Sequence, residues 1–192
     1  NVGLTNTVLT GGNATYQDNL QVVATSTNAK LAFANPANLA ASTSGNVVVT
    51  AASAGSLTGT ANLALTSKAL AGTTGLSDVA LAGQTVAVTG AAYDLANATV
   101  VTTPLALGDI RRNVTANIGV TNTTVSNATY QDNLNVLATS TNANLSFANP
   151  ADLAAGSSGN VVVTAANVGV LNTTISLGLT SKVLTGVITL TD

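Results

Sequence analysis

Apolar and polar residues alternate along much of the chain. In residues 113–123, Val114, Ala116, Ile118 and Val120 share one face, while Thr and Asn residues occupy the other. An alternation with a period of two indicates half-buried β-strands, because successive side chains of a strand point to opposite faces. The same pattern recurs in residues 134–140, 144–148, 160–165, 171–181 and 187–192. No segment keeps the 3.6-residue period of an amphipathic helix, so we expect an all-β protein.

A further strand is expected over Val100–Leu107, ahead of these runs. Pro104 interrupts it, which favours an edge strand, and Gly108-Asp109 then predicts a tight turn. Gly, Asn, Ser and Pro separate the other runs, and at one such place Asn149 and Pro150 could begin a helical turn. Short strands with frequent turns of this kind predict an immunoglobulin-like β-sandwich.

The chain contains two copies of one repeating unit. Residues 13–70 align with residues 127–184 without gaps at an offset of 114; of 58 positions, 16 differ and 42 are identical. Residues 1–7 match residues 117–123 at an offset of 116, so the first copy has two extra residues, which we place in a turn at Gly11-Gly12. A unit of about 115 residues is too long for one rung of a solenoid. We therefore expect one domain per copy.

We place the two domains at residues 1–91 and 92–192. The second begins near Ala92-Tyr93, after the alternating segment 84–90. Compared with the second copy, the first lacks an opening strand, which would precede residue 1. The closing segment of the second is truncated or shortened. The expected fold is two tandem immunoglobulin-like β-sandwich domains of about seven strands each.

Charged residues are scarce in this chain. They make up 6% of the sequence, the net charge is −2, and all seven acids are Asp. Soluble domains typically carry about 25% charged residues, and a surface of Thr, Ser, Asn and Gly is typical of secreted surface proteins and fibre subunits. Arg111-Arg112 is the only adjacent basic pair, which argues against a nucleic-acid partner. No apolar stretch is long enough to predict membrane insertion.

Two residue types that many active sites need are missing. The chain has no Cys and no His, which excludes disulfides, thiolate metal sites and Ser-His catalysis. The Gly-rich segments lack the strand–loop–helix context and the Lys of phosphate sites. The Asp residues stand singly in expected turns rather than as the carboxylate pairs of glycosidases. We therefore predict no enzymatic activity, no catalytic residues, no bound metal and no cofactor.

The first candidate site is formed by Tyr16 and Tyr130, which occupy matching positions beside Asp18 and Asp132. One interpretation is a ligand-binding edge repeated along an array. The other is a packed ring whose hydroxyl bonds to backbone at a sandwich corner.

Charged residues of the expected turns form further candidates. Asp109 with Arg111-Arg112 could be a salt-bridged turn or an inter-domain contact. Asp78, Asp94 and Asp109 lie near the predicted domain junction, but calcium needs about six to eight oxygen ligands, and no Asp-x-Asp-Gly run supplies them. The Asn-x-Ser/Thr sequons are glycosylation candidates: Asn13, Asn97, Asn113, Asn122, Asn127, Asn144 and Asn172.

Residues 104–124 resemble the opening of the choice-of-anchor D repeats, an immunoglobulin-like family of large bacterial surface proteins that include autotransporter-type passengers. The matching positions are Leu105, Leu107, Gly108, Ile110 and Asn122-Thr123. The family's aromatic residue is replaced by Ala106 or Leu107, and its second Gly by Arg112 or Asn113. Residues 75–96 resemble the linker of the same family. The resemblance implies a surface-exposed array of sandwich domains, and it implies no catalytic residues.

The leading hypothesis from the sequence is a non-catalytic spacer or stalk of an extracellular or cell-surface bacterial protein. Its partners would be neighbouring repeats or copies of the same protein, and it predicts that Tyr16, Tyr130, Phe33 and Phe147 are all buried. One alternative is a self-assembling fibre or sheath subunit, a homopolymer joined by strand donation. A second alternative is an adhesin module for glycan or protein, for which aromatic residues, at 3%, are scarce.

Overall fold

The computed structural model describes residues 1–101, 105, 107 and 111–187. It divides into two compact units, unit 1 at Asn1–Ala92 and unit 2 at Tyr93–Asp192. The boundary expected from the sequence lies one residue earlier. Three expectations lie outside the described residues: the interruption at Pro104, the turn at Gly108-Asp109, and the alternation of residues 188–192.

Unit 1 is built from antiparallel strands in two main sheets. The strands are β1 (Val2–Thr5), β2 (Asn19–Thr25), β3 (Leu31–Ala34), β4 (Ser44–Ala51), β5 (Gly55–Ser56), β6 (Gly59–Lys68), β7 (Val79–Ala80), β8 (Gln84–Val88) and β9 (Ala91–Ala92). One sheet has the order β1-β4-β3. In the other, β2 pairs with β6, and β6 pairs with both β7 and β8. Strands β5 and β9 form a separate short pair.

Unit 2 repeats this arrangement. Its strands are β10 (Ala98–Val100), β11 (Thr115–Asn122), β12 (Asn133–Thr139), β13 (Leu145–Ala148), β14 (Ser158–Ala165) and β15 (Ser176–Lys182). The described sheets have the orders β10-β11-β14-β13 and β12-β15. These orders correspond to strands A-B-E-D and C-F of an immunoglobulin constant-type sandwich. Unit 1 has the same order without strand A, since β1, β4 and β3 correspond to B, E and D.

The core of unit 2 lies between its two sheets. Val161 and Val163 of β14 are fully buried and pack in one cluster with Leu134 and Val136 of β12. These side chains follow the period-two alternation of the sequence, which places one face of each strand inward. In unit 1, Val22 and Val47 occupy the matching positions of a smaller cluster. The prediction of an all-β protein made of tandem β-sandwich units is confirmed.

Some details differ from the sequence-based expectations. The described residues contain nine strands in unit 1, three of them two residues long, and six in unit 2, so the predicted count of about seven per unit is not established. The expected strand 171–181 begins only at Ser176, and Leu179, expected to face inward, is 42% exposed. The prediction of a helical turn beginning at Asn149 is wrong, because the structure has no helical residues there. The Asn149 side chain instead accepts a hydrogen bond from Ala138 N of β12 at 2.9 Å.

Candidate functional site

Each unit contains a network of polar side chains at the end of its B strand, which we call the amide network. In unit 2 it consists of Asn122, Gln131, Asp132 and Ser181. Asn122 Nδ2 donates to Asp132 O at 2.9 Å, and Gln131 Nε2 donates to Asn122 Oδ1 at 2.9 Å. Ser181 Oγ donates to Asp132 Oδ2 at 3.0 Å. Asn122 and Gln131 are completely buried, and Asp132 is 4% exposed.

Unit 1 forms the same amide network with the matching residues Asn6, Gln17, Asp18 and Ser67. Asn6 Nδ2 donates to Asp18 O at 3.0 Å, and Gln17 Nε2 donates to Asn6 Oδ1 at 2.8 Å. Ser67 Oγ donates to Asp18 Oδ2 at 2.8 Å. None of these four residues is fully buried. The two networks therefore have the same geometry but different exposure.

A capped 3-10 turn positions the Gln and Asp of each network. The turns span Ala14–Tyr16 and Ala128–Tyr130. In each, the preceding Asn accepts a bond from a backbone N–H two residues ahead at 2.9 Å, as Asn13 does from Thr15. This is the usual local bond of an Asn before a turn. The identical sequence Asn-Ala-Thr-Tyr-Gln-Asp thus gives the same local structure in both units.

In unit 2 the residues before β11 cover the network. We call residues 93–101 the leading segment. Asp94 N donates to Tyr130 O at 2.8 Å, and Asp132 N donates back to Asp94 O at 2.9 Å. Asn97 N donates to Asn122 Oδ1 at 3.0 Å. The ring of Tyr93 packs on that of Tyr130, with centroids 5.5 Å apart.

In unit 1 the same place is an open groove of about 590 Å³. Its lining includes all four members of the amide network, together with Tyr16 and Leu20. Tyr16 is 83% exposed. Leu20 is half-buried, whereas its counterpart Leu134 is 1% exposed. Within the described residues, β1 is paired by β4 along one edge only, whereas β11 is paired by both β14 and β10.

The expected burial of the aromatic residues is therefore wrong for Tyr16. Tyr130, Phe33 and Phe147 are partly buried rather than fully buried. The physical reason for the difference between the two tyrosines is Tyr93, which covers Tyr130 and has no counterpart over Tyr16. The structure places both tyrosines beside Asp18 and Asp132, as the sequence indicates, at the rim of the amide network.

The other charged candidates do not converge on one site. Asp78 pairs with Lys68, and Asp94 accepts a bond from Ser126 Oγ in unit 2. Arg111 and Arg112 are exposed and have no ion pair in the described part of the chain, and Asp109 lies outside it. Among the residues that the structure describes, no group of three or more acidic side chains could hold a metal ion.

The Lys68 ammonium determines the ionisation of Asp78. A side-chain hydrogen bond from Lys68 lowers the pKa of Asp78 below its ordinary value of 3.8, helped by a backbone bond from Ala69 and opposed by desolvation. The Asp78 side chain is exposed, so this pair is a surface contact of small energy.

The sequence alone did not identify Asn6 and Asn122 as members of a polar network. In the sequence, Asn122 stands out only as a sequon and as part of the family motif. A signal was present, because Asn122 continues the inward face formed by Ala116, Ile118 and Val120. A polar residue at an inward position of a strand must find hydrogen-bond partners, which is what the amide network provides.

Comparison of the chain with known proteins gives no match to any family model, any curated protein or any solved structure. The resemblance to choice-of-anchor D repeats therefore stays a prediction. Over the described residues, no helix is long and apolar enough to cross a membrane.

Proposed function

We propose that the chain is a non-catalytic structural repeat, a spacer or stalk segment of an extracellular bacterial surface protein. The observation that carries this proposal is the repetition of one interior in two successive units. The amide networks match residue for residue, and the polar groups within them bond to backbone or to one another, except for Asp132 Oδ1, which is buried without a hydrogen-bond partner among the described residues. Such side chains hold a fold together instead of presenting reactive atoms.

The polar composition supports the same proposal. Asn side chains close turns and loops in both units: Asn28 Nδ2 donates to Ser56 O at 3.2 Å, and Asn142 Nδ2 donates to Val170 O at 2.8 Å. These neutral bonds do not depend on salt or on pH near neutrality, unlike surface ion pairs. A stalk exposed to a changing medium benefits from this independence.

Single-molecule force spectroscopy of the full chain between two handles tests the mechanical part of the proposal. A spacer made of independent sandwich units is expected to unfold in two separate events. Unit 1, at residues 1–92, extends by about 320 Å less its folded length, and unit 2 by about 350 Å less its own, at ~3.5 Å per residue. A gradual extension without two events would contradict the proposal. Antibody labelling of intact source cells, compared with permeabilised cells, tests the extracellular location.

A self-assembling fibre subunit is the second candidate, and the observation that favours it is the edge of β1 next to the open groove. An unpaired strand edge can accept a strand from another chain. Sedimentation velocity over a wide concentration range separates the two functions. A fibre subunit forms concentration-dependent oligomers, whereas a spacer stays a monomer.

A further inference from the structure

The groove of unit 1 and the covered surface of unit 2 are formed by corresponding residues of the two units. Three pairs of corresponding residues are identical in type and make the same local hydrogen bonds. They are Tyr16 and Tyr130, Asn6 and Asn122, and Asp18 and Asp132. They differ in what lies over them. Unit 2 therefore shows what the groove of unit 1 is shaped to hold.

The leading segment of unit 2 binds mainly through its backbone. Besides the bonds of Asp94 and Asn97 already described, Thr123 N donates to Asn97 O at 2.7 Å and Ala96 N donates to Ser181 Oγ at 2.9 Å. Residues 98–100 then pair with β11, with Val100 opposite Val120. Unit 1 presents the matching acceptors and donors on Tyr16, Asp18, Asn6, Thr7 and Ser67.

We infer that the groove of unit 1 is the acceptor site for a leading segment of the same type, carried on the same polypeptide by the repeat array. The occupant is an extended peptide with the features of residues 93–101: a Tyr that packs on Tyr16, backbone groups that pair with the network, and a short strand that completes the sheet beyond β1. Backbone pairing of this kind is β-augmentation. This inference rests on the proposed function in one respect: it takes the occupant to be part of another repeat of the same polypeptide.

A second copy of the chain is a poorer occupant. Its leading segment already covers its own unit 2, so each groove that it closed would open another. A segment tethered next to the groove also acts at a high effective concentration, commonly in the millimolar range for short linkers. The same-chain arrangement is therefore favoured over exchange between chains.

The test is an extended chain in which a copy of residues 93–116 is joined in front of Asn1. Residue 117 is the counterpart of Asn1, so this junction keeps the register of the repeat. Amide hydrogen exchange is then measured by NMR at Asp18 and Thr7, whose counterparts Asp132 and Thr123 donate to the leading segment. We expect exchange at both amides to slow by about tenfold or more, the effect of a bond of ordinary net strength in a closed site.

The matched control carries the same extension with Asp94→Pro and Asn97→Pro in the appended copy, which removes the two main backbone donors. The amides of Asp132 and Thr123 in unit 2 serve as internal references. Nitration of Tyr16 gives a second readout and should slow in the extended chain but not in the control. Equal exchange in the extended and control chains would overturn the inference. Concentration-dependent protection of Asp18 in the unextended chain would also overturn it, in favour of a second copy.

A failure of this inference can be distinguished from a failure of the spacer proposal. If the extension leaves the groove open while the two force-induced unfolding events persist, the spacer proposal stands and this inference fails. If the extension closes the groove but the two unfolding events are missing, this inference stands and the spacer proposal fails.

Discussion

Replacing Asn122 by Ala should destabilise unit 2 far more than replacing Asn6 by Ala destabilises unit 1. The two residues have the same neighbours in sequence and the same role in their networks. They differ in burial, since Asn122 is 0% exposed and Asn6 is half-buried. The pair therefore isolates the effect of the cover provided by the leading segment.

The magnitude follows from the four hydrogen bonds of Asn122. Its Nδ2 donates to Asp132 O and Leu153 O, and its Oδ1 accepts from Gln131 Nε2 and Asn97 N, at 2.9 to 3.0 Å. Leu153 O keeps a bond from a backbone N–H, and Gln131 Nε2 keeps one to a carbonyl. For Asp132 O and Asn97 N, Asn122 is the partner that is lost. Asp132 O is buried, whereas Asn97 is an exposed residue whose bond to Asn122 is only part-buried. A buried group left unpaired costs about 1–3 kcal/mol, so we expect a loss of about 3 kcal/mol, most of it from Asp132 O.

Asn6→Ala removes three bonds in the open groove, to Asp18 O, Leu39 O and Gln17 Nε2. These bonds are part-buried, and water can replace the lost partners in the open groove, so the expected loss is the net worth of ordinary hydrogen bonds, about 1 kcal/mol. Native-state hydrogen exchange of the full chain, followed by mass spectrometry of peptides from each unit, measures the free energy of opening of each unit separately. Equal losses in the two variants would refute the argument that the leading segment seals the network of unit 2.

Two further predictions concern single positions. Lys68→Ala should raise the pKa of Asp78 toward 3.8, because the Lys68 hydrogen bond is the main cause of its lowering; a carboxyl titration by NMR that gives an unchanged pKa would contradict this. Since that pKa is lowered by folding, the contribution of the pair to stability is present above the unfolded value and disappears as the pH falls through the folded value. Gly159→Ala should cost about 2 kcal/mol of stability by overpacking, because a Cβ there would lie 2.8 Å from Leu153 Cδ2. The control Gly178→Ala, whose nearest contact is 3.5 Å, should be close to neutral in the same urea titration.

The strands and the core of unit 2 were predictable because its sequence follows the period of a pleated sheet closely. In β12, Leu134, Val136 and Ala138 are buried, as the alternation requires, while Leu137 between them is exposed. Burial of one face is a local consequence of the pattern, so sequence alone locates it. β15 departs from this pattern at Leu179, which is 42% exposed although the alternation predicts that it faces inward.

The exposure of Tyr16 could not be predicted from its own repeat. Residues 13–20 are identical to residues 127–134, so any local argument assigns Tyr16 and Tyr130 the same environment. The difference comes from Tyr93 and the rest of the leading segment, which lie outside the aligned part of the repeat. Burial at this site is a tertiary property, because the covering Tyr93 lies more than 30 residues before Tyr130 in the sequence.

The presence of an intact amide network in the open unit also bears on how the groove would bind. Asn6, Gln17 and Asp18 already hold the positions that Asn122, Gln131 and Asp132 hold under the leading segment. The acceptor is therefore preformed, and closing it requires no rearrangement of these side chains. The main cost of binding falls on the incoming peptide, which must be ordered from an extended chain. A tether to the same polypeptide lowers this cost, because it removes the loss of translational freedom. Preorganisation of the groove and tethering of its occupant thus favour the same arrangement, a repeat closed by the segment that joins it to its neighbour.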